Sequence, residues 1–394
     1  MDTALNPYTP GAGRRPTLLA GREEDLSAFA ALIKRAELGL PPARPLLLVG
    51  LRGIGKTVLL NRMRELATTA GWSEFKLEGN RGKGGSEDAR QTITGGLAAI
   101  GLAHKEGKTP TVQQMLATIT SFSISVGAQG VSLGVERDPS RASGPDPSRN
   151  LLETIVDTSK ALTSLKRGFI ISIDEMQDLD IPLLETLLRA QHECTQQSLN
   201  FYLLGAGLPN LPEHLAESKS YAERMFNVLK IDRLSDTASA QALEEPAKQM
   251  GTKFTPEARD LLVKESGGYP YFIQELGAAL WDVAQESPFS FADSQVAATL
   301  GWSRLDNGFF HARWNRATPA EKEYLTAMAI DGEGPSSSTE IARRLSKEPS
   351  SLGPTRANLI NKGLVYAPTR GYIAFTVPAF AQFIQRRSDL EARA

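Results

Sequence analysis

Short, continuously apolar runs alternate along this chain with stretches of helical spacing. Leu46-Leu47-Leu48-Val49 and Phe169–Ile173 are unbroken apolar segments, the pattern of parallel strands buried on both faces. Trp72–Leu77 and Leu199–Leu204 add two further strands. Leu26, Phe29, Leu32 and Ile33 recur at helical spacing, which predicts a helix over Glu23–Glu37 ended by Gly39 and Pro41-Pro42. The same reading predicts helices over Lys56–Ala70, Glu87–Ile100, Leu151–Leu165 and Pro182–Thr195. Strands alternating with helices imply an α/β fold, a parallel sheet in three layers.

Two regions break this rhythm. Residues Leu5–Arg15 are rich in Pro and Gly and predict an extended arm within residues 1–17. In the stretch 104–149, Phe122, Ile124 and Val126, then Val131, Leu133 and Val135, alternate around Gly127-Ala128-Gln129-Gly130. That alternation predicts a β-hairpin, with a mobile loop over Arg137–Arg149. The whole stretch reads as an insertion into the core of residues 18–232. It would cover a sheet edge, or contact another subunit or DNA.

After Asp232 the strand signals stop. Thr255-Pro256-Glu257 is an N-cap with proline at the first helical position, as expected in a helical domain spanning residues 233–312. Thr318-Pro319-Ala320-Glu321 repeats the start signal with a capping-box glutamate and opens a third domain, residues 313–394. A second helix there is capped at Ser337-Ser338-Thr339-Glu340, and a third begins around Ser350–Pro354 and stops at Gly363. Leu364–Tyr366 and Tyr372–Val377 then form a hairpin through Thr369-Arg370-Gly371. Three helices followed by a hairpin is the order of a winged helix.

Composition narrows the possibilities. With 394 residues the chain has room for more than one core, and 44 Lys+Arg against 45 Asp+Glu leave no global nucleic-acid signature. A single cysteine, Cys194, cannot form an internal disulfide, and the 4 histidines lack metal-ligand spacing. No apolar run approaches the ~20 residues that cross a bilayer. The start, Met1-Asp2-Thr3, lacks a basic-then-apolar signal pattern, so the expectation is a cytoplasmic protein without a membrane partner.

The chemistry lies at two strand ends. Gly50-Leu51-Arg52-Gly53-Ile54-Gly55-Lys56-Thr57, followed by Val58, matches the phosphate-binding P-loop pattern between a buried strand and a helix. Glycines there let backbone N–H groups converge on phosphate oxygens at a helix N-terminus. Lys56 would reach the β- and γ-phosphates, and the Thr57 hydroxyl would ligate Mg²⁺. The strand Phe169–Ile173 runs into Asp174 and Glu175. Asp174 would complete the Mg²⁺ shell, and Glu175 would orient or deprotonate an attacking water. An adjacent glutamate favours ATP hydrolysis over nucleotide carrying, and no Asn-Lys-x-Asp guanine-reading motif is present.

With these motifs the chain resembles the AAA+ superfamily, nearest the origin-recognition-like and STAND-like ATPases. The resemblance rests further on Leu19-Ala20-Gly21-Arg22-Glu23, Gly205-Ala206-Gly207-Leu208-Pro209, Ser220-Tyr221-Ala222-Glu223-Arg224 and Gly267-Gly268-Tyr269-Pro270. It implies that Gly21 and Arg22 line an adenine pocket and that Pro270 packs on the nucleotide from a helical lid. Arg224 matches the position of an arginine finger that acts on a neighbouring subunit's ATP, which implies a homo-oligomer. Two positions depart from the family pattern. A polar sensor residue is missing at Gly205-Ala206-Gly207, with Asn210 the nearest substitute, and Tyr271 follows Pro270 where origin-recognition relatives carry an arginine. These departures imply a slow ATPase that acts as a switch.

The local charge of the C-terminal domain gives a candidate output. Residues 336–394 carry nine Lys/Arg against four Asp/Glu. Arg356, Asn358, Asn361 and Lys362 fall on or near the third helix, where a winged helix reads the major groove of duplex DNA, and Arg370 sits in the wing, placed to meet phosphate. The competing expectation is a signalling or scaffold switch whose winged helix docks on protein. A small-molecule kinase is weaker, because neither its lid nor an acceptor pocket is recognisable.

Overall fold

The computed structural model describes residues 1–80, 85–104, 109–126 and 147–393. Its first part is α1 (Glu23–Glu37), β1 (Leu46–Val49), α2 (Lys56–Thr69), β2 (Ser73–Glu78), α3 (Gly85–Ala103), α4 (Pro110–Val126), α5 (Pro147–Ser164), β3 (Phe169–Asp174), α6 (Ile181–Gln196), β4 (Phe201–Gly207), α7 (Leu211–Ser218), α8 (Ala222–Met225) and β5 (Asn227–Lys230). The five strands form one sheet in the order β2-β3-β4-β1-β5, and every paired neighbour is parallel. This is a P-loop AAA+ fold.

Burial follows the sequence pattern. Every residue of β1, β3 and β4 is buried, as their unbroken apolar runs require. Helix α1 buries Phe29, Leu32, Ile33 and Ala36, a single stripe worth about 1.5–3 kcal/mol for each large side chain. Strand β5 is a short edge with mostly exposed residues, so it carries no apolar run by which a sequence reading would find it.

The hairpin expected at 122–135 is corrected. Phe122, Ile124 and Val126 belong to helix α4, and the other half, with most of the loop 137–149, lies outside the described residues. Val112, Met115 and Ile119 are buried in the core beside α3 and α5, and their helical spacing extends through the next turns. Three alternating residues were too few to outweigh it. Ser148 and Arg149, assigned to that loop, instead lie in the first turn of α5.

The helical part comprises α9 (Asp236–Gln249), α10 (Pro256–Ser266), α11 (Pro270–Val283) and α12 (Phe291–Arg304), then a π-helical turn, Leu305–Phe310, and the short α13 (His311–Asn315). Thr255 accepts from the Ala258 N–H, the expected N-cap, and Gly267 closes the other end of α10 at φ 54°. The last part is α14 (Pro319–Ala329), β6 (Ser336–Ser337), α15 (Ser338–Arg344), α16 (Gly353–Asn361), β7 (Val365–Tyr366), β8 (Tyr372–Phe375) and α17 (Phe380–Arg393). The Thr318–Glu321 capping box is formed, and β6, β8 and β7 make a small antiparallel sheet. One apolar cluster runs from α1 and α2 through Tyr269 and Phe272 to Phe380 and Ile384, so all three parts share a core.

The extended arm is not free. The Tyr8 ring is buried with its hydroxyl donating to the Leu243 carbonyl at 2.5 Å, and the Thr9 N–H donates to Gln274 Oε1 at 3.0 Å. Arg15 meets Glu65 of α2 at 3.2 Å, so the arm runs from the helical part to the α/β core.

Candidate nucleotide site

The sheet order sets the site. Strand β4 lies between β1 and β3, so its C-terminal end falls between the glycine loop and the two carboxylates. In a parallel sheet such ligand sites form beyond the carboxyl ends of the strands. The loop from Gly50 to Thr57 joins β1 to α2, with Gly53 and Gly55 at φ 83° and 95°, left-handed values that favour glycine. A Cβ on Gly50 would stand 2.3 Å from the Ile231 carbonyl oxygen, so that position admits no side chain.

Lys56 is 5% exposed, and its ammonium donates to the carbonyls of Gly50 and Leu51, each at 2.9 Å. Burial pushes its pKa down to about 8, against the pull of Glu175 and Asp174 upward. A buried ammonium resting on two peptide carbonyls is strongly stabilised by an incoming anion, and with the glycine loop around it the chemistry fits phosphate. Thr57 and Asp174 line the same cleft, a hydroxyl and a carboxylate oxygen suited to Mg²⁺.

At the end of β3, Asp174 is 5% exposed and meets Lys76 Nζ at 3.6 Å. Glu175 takes a left-handed backbone conformation at φ 46°, rare for a residue with a side chain, which turns its carboxylate into the cleft. Arg52 Nη2 lies 3.7 Å from Glu175 Oε1, and Gln177 Nε2 donates to Glu175 Oε2 at 2.6 Å. Both carboxylate oxygens are therefore engaged from within the chain.

Gln177 was missed by the sequence reading. Its Oε1 accepts from the Leu208 N–H at 3.3 Å, which ties the Glu175 carboxylate to the end of β4. Gly207 makes room for it, since a Cβ there would lie 2.3 Å from Gln177 Oε1. The amide thus fills the space left by the glycine at the end of β4. Asn210 stands at the start of α7 and does not line the cleft. The available signal was the pairing of a carboxamide two residues beyond Glu175 with a side-chain-free strand end. Gly207→Ala is expected to displace the amide and to crowd the buried Leu211, whose Cδ2 would lie 2.7 Å from the new Cβ, at a cost of about 1–3 kcal/mol in stability. It should lower any ATP turnover several-fold, read by thermal melting beside steady-state hydrolysis.

The cleft holds about 500 Å³, the size of a small-molecule site. Arg52, Gly53, Ile54, Gly55, Lys56, Thr57, Val58 and Pro270 line it as expected. Arg22 lines it too but is anchored, donating to the Asp232 carbonyl at 2.7 Å and the Ile54 carbonyl at 3.4 Å. Gly21 is not a lining residue; its φ of 64° and a virtual Cβ 2.9 Å from Ala238 Cβ give it a packing role against α9. Leu18, Leu19, Leu234, Ala242 and Ile273 give it apolar lining, and Thr9, Gly11, Ala12, Gly13, Arg14 and Pro16 of the arm line it as well. Tyr271, Phe309 and Arg313 line it from the helical side.

The remaining candidates lie apart. Arg224 is exposed on α8, away from the chain's own cleft. On the C-terminal part, Asn358 and Asn361 lie exposed on α16 and Arg370 is exposed between β7 and β8. Arg356 is half-buried and donates to the Tyr372 carbonyl at 3.2 Å. Lys362 is committed elsewhere: its ammonium meets the buried Glu321 carboxylate at 2.6 Å and the Arg316 carbonyl at 2.9 Å. Cys194 is buried, with its thiol pushed up to about 12 by that burial. Among the described residues no cluster of His, Cys, Asp and Glu is arranged for a metal, and no helix is long and apolar enough to cross a membrane.

Comparison with known proteins agrees with the fold. Residues 18–204 match the family model of the AAA ATPase domain, and residues 307–384 match a domain of unknown function, DUF8462. An uncharacterized HTH-type transcriptional regulator of Methanocaldococcus jannaschii is 28% identical over 174 residues, 42% of each chain. The chain thus spans about two fifths of the length of that curated relative. A Walker-type ATPase of Pyrococcus abyssi superposes over 97% of this chain and 99% of its own, with a TM-score of 0.57 and 15% identity. The Aeropyrum pernix ORC1 protein, solved in complex with DNA, covers 96% of each chain at 18% identity and a TM-score of 0.45.

Proposed function

We propose that this chain is a slow ATPase that works as a switch, with the position of its C-terminal winged helix as the output. Lys56 and the loop amides bind the phosphates, Thr57 and Asp174 hold Mg²⁺, and Glu175 orients or deprotonates the water. Bound Mg²⁺ supplies neutralisation of the charge on the β- and γ-phosphates. Residues 18–232 form the core, 233–312 the lid and 313–394 the winged helix.

One observation carries the reading. The N–H of Arg52, inside the phosphate loop, donates to the Thr376 carbonyl at 2.9 Å, while the Arg52 carbonyl accepts from the Tyr269 hydroxyl at 2.9 Å. A Cβ on Gly363, at the end of α16, would lie 2.9 Å from Arg52 Nη2. The lid, through Tyr269, and the C-terminal part, through Thr376 after β8 and Gly363 after α16, therefore both meet one residue of the phosphate loop. Any shift of that loop on nucleotide binding alters the docking of both. Turnover is slow because Arg52 and Gln177 hold the Glu175 carboxylate in the docked form, and the end of β4 offers only Gly205-Ala206-Gly207.

The output we favour is duplex DNA, contacted by Asn358, Asn361, Arg356 and Arg370; Lys362, tied to Glu321, is left out of that set. The HTH-type name of the Methanocaldococcus jannaschii relative accords with this output. The exposed Arg224 is available to a second copy of the chain, and the switch acts in the cytoplasm. A second reading, a STAND-like switch that docks protein, is favoured by the internal engagement of Arg356 and Lys362.

Fluorescence anisotropy with labelled duplex DNA separates them. Binding should rise several-fold with a non-hydrolysable ATP analogue over ADP, weaken with salt, and fall in Arg370→Ala and Lys56→Ala. Absence of DNA binding in both nucleotide states would overturn the DNA output and support the protein-docking one.

A further inference from the structure

We infer that the N-terminal arm is a flap across the nucleotide cleft, hinged on α11 and released from α2, and that its opening sets the rate of nucleotide exchange. The inference rests on the nucleotide binding proposed above and assigns a regulation to that site.

The arm closes on itself before it enters the core. Thr17 Oγ1 donates to the Pro7 carbonyl at 3.2 Å and Thr9 Oγ1 to the Arg15 carbonyl at 3.3 Å, so residues 7–17 form a loop with a narrow neck. The neck rests on α11, where the Thr9 N–H meets Gln274 Oε1 at 3.0 Å. The tip rests on α2. A Cβ on Gly13 would stand 3.4 Å from Thr57 Cγ2, in the first turn of that helix, and Arg15 reaches Glu65 further along it at 3.2 Å. Gln274 and Thr57 both line the cleft, as do Gly11, Ala12, Gly13 and Arg14 between them. A loop with its neck on one of these helices and its tip on the other crosses the cleft.

Its two ends are held unequally. At the neck, Tyr8 is 4% exposed and its hydroxyl donates to the Leu243 carbonyl at 2.5 Å. Gly277 of α11 leaves the space for that ring, since a Cβ there would lie 2.5 Å from Tyr8 Cδ1. Just upstream, Asn6 Nδ2 donates to the Ala278 carbonyl at 3.2 Å and Trp281 Nε1 to the Asp2 carbonyl at 2.8 Å. A buried aromatic ring with a satisfied hydroxyl resists separation. At the tip, Ala12, Gly13 and Arg14 are exposed, and the Arg15 and Glu65 side chains are 70% and 42% exposed. Such a surface ion pair shifts an equilibrium by about fivefold at most. Gly13, at φ 66°, gives the tip a turn that other residues seldom adopt. The loop therefore lifts from α2 and stays hinged on α11. A nucleoside diphosphate left after hydrolysis departs when the flap is raised, so the flap times the reset of the switch.

The test is stopped-flow association of a fluorescent ADP with the full chain, and its dissociation under a chase of unlabelled ADP. Arg15→Glu sets like charges at the tip and is expected to raise both rate constants roughly 3- to 10-fold. Gly277→Ala evicts the Tyr8 ring with the arm's own sequence intact, and places a better helix former in α11. It should raise both rate constants by about tenfold or more. In each variant the Kd should stay within about threefold, because the flap opens more often in the free and the loaded chain alike. Arg15→Glu, on the surface, keeps the test decisive should Gly277→Ala disturb α11. Unchanged rate constants would overturn the inference, and so would faster dissociation with unaltered association, the mark of a fixed wall and not of a gate. A wild-type chain that binds no ADP would instead sink the nucleotide-site reading on which the flap rests. Lys56→Ala, which weakens ADP with the arm untouched, separates that failure from the flap's.

Discussion

Glu175→Gln should leave a protein that binds ATP and barely hydrolyses it. The carboxamide has nearly the shape of the carboxylate, so the left-handed turn at residue 175 and the contact with Gln177 have a close replacement. What disappears is the ability to accept a proton and the negative charge facing Arg52 at 3.7 Å. General-base catalysis contributes typically ~10²–10⁴-fold, so single-turnover hydrolysis is expected to fall by at least about 100-fold. ATP affinity should stay within about threefold, because no phosphate contact runs through this group. Retained turnover would move the base elsewhere, while lost affinity would assign Glu175 to binding. Because the variant holds ATP, it also traps the triphosphate state for the DNA measurement.

Lys56→Ala should remove nucleotide binding itself. Each hydrogen bond to a charged partner is worth about 1.5–3 kcal/mol, and Lys56 is expected to span two phosphates, so affinity should drop by roughly 100-fold or more. The wild-type lysine adds a pH signature. In the free chain its pKa sits near 8, below the ordinary 10.5, because burial opposes the charge. Phosphate stabilises the ammonium and raises that pKa, so the complex binds more protons than the free chain. The sign follows: affinity is greatest below pH 8 and falls as pH rises above it, by about tenfold at pH 9. Isothermal titration at pH 9 in buffers of different ionisation enthalpy should read nearly one proton taken up per nucleotide. A pH-independent affinity would mean that Lys56 stays charged in the free chain.

Much of this was legible along the chain. The runs Leu46–Val49 and Phe169–Ile173 could only be strands buried on both faces, and the glycine loop and paired carboxylates stand at their ends. The caps at Thr255 and Thr318 were readable because an N-cap bond is made within three residues and needs no distant partner. Local spacing misled where a weak period-2 pattern met a longer helical one, so Phe122, Ile124 and Val126 entered α4. The exposed edge β5 left no pattern to read.

The sequence by itself thus determined the parallel core, the phosphate loop and its acidic partner, since each rests on contacts between near neighbours or on unbroken burial. Only the tertiary structure decided that Gln177 fills the space beside Gly207, that Thr376 reaches Arg52, that Lys362 is spent on Glu321, and that Arg313 enters the cleft. These pairings join residues from different elements, several of them from different parts of the chain. No periodicity records such a contact, because it depends on how finished elements pack and on which side chains are left facing one another when they do.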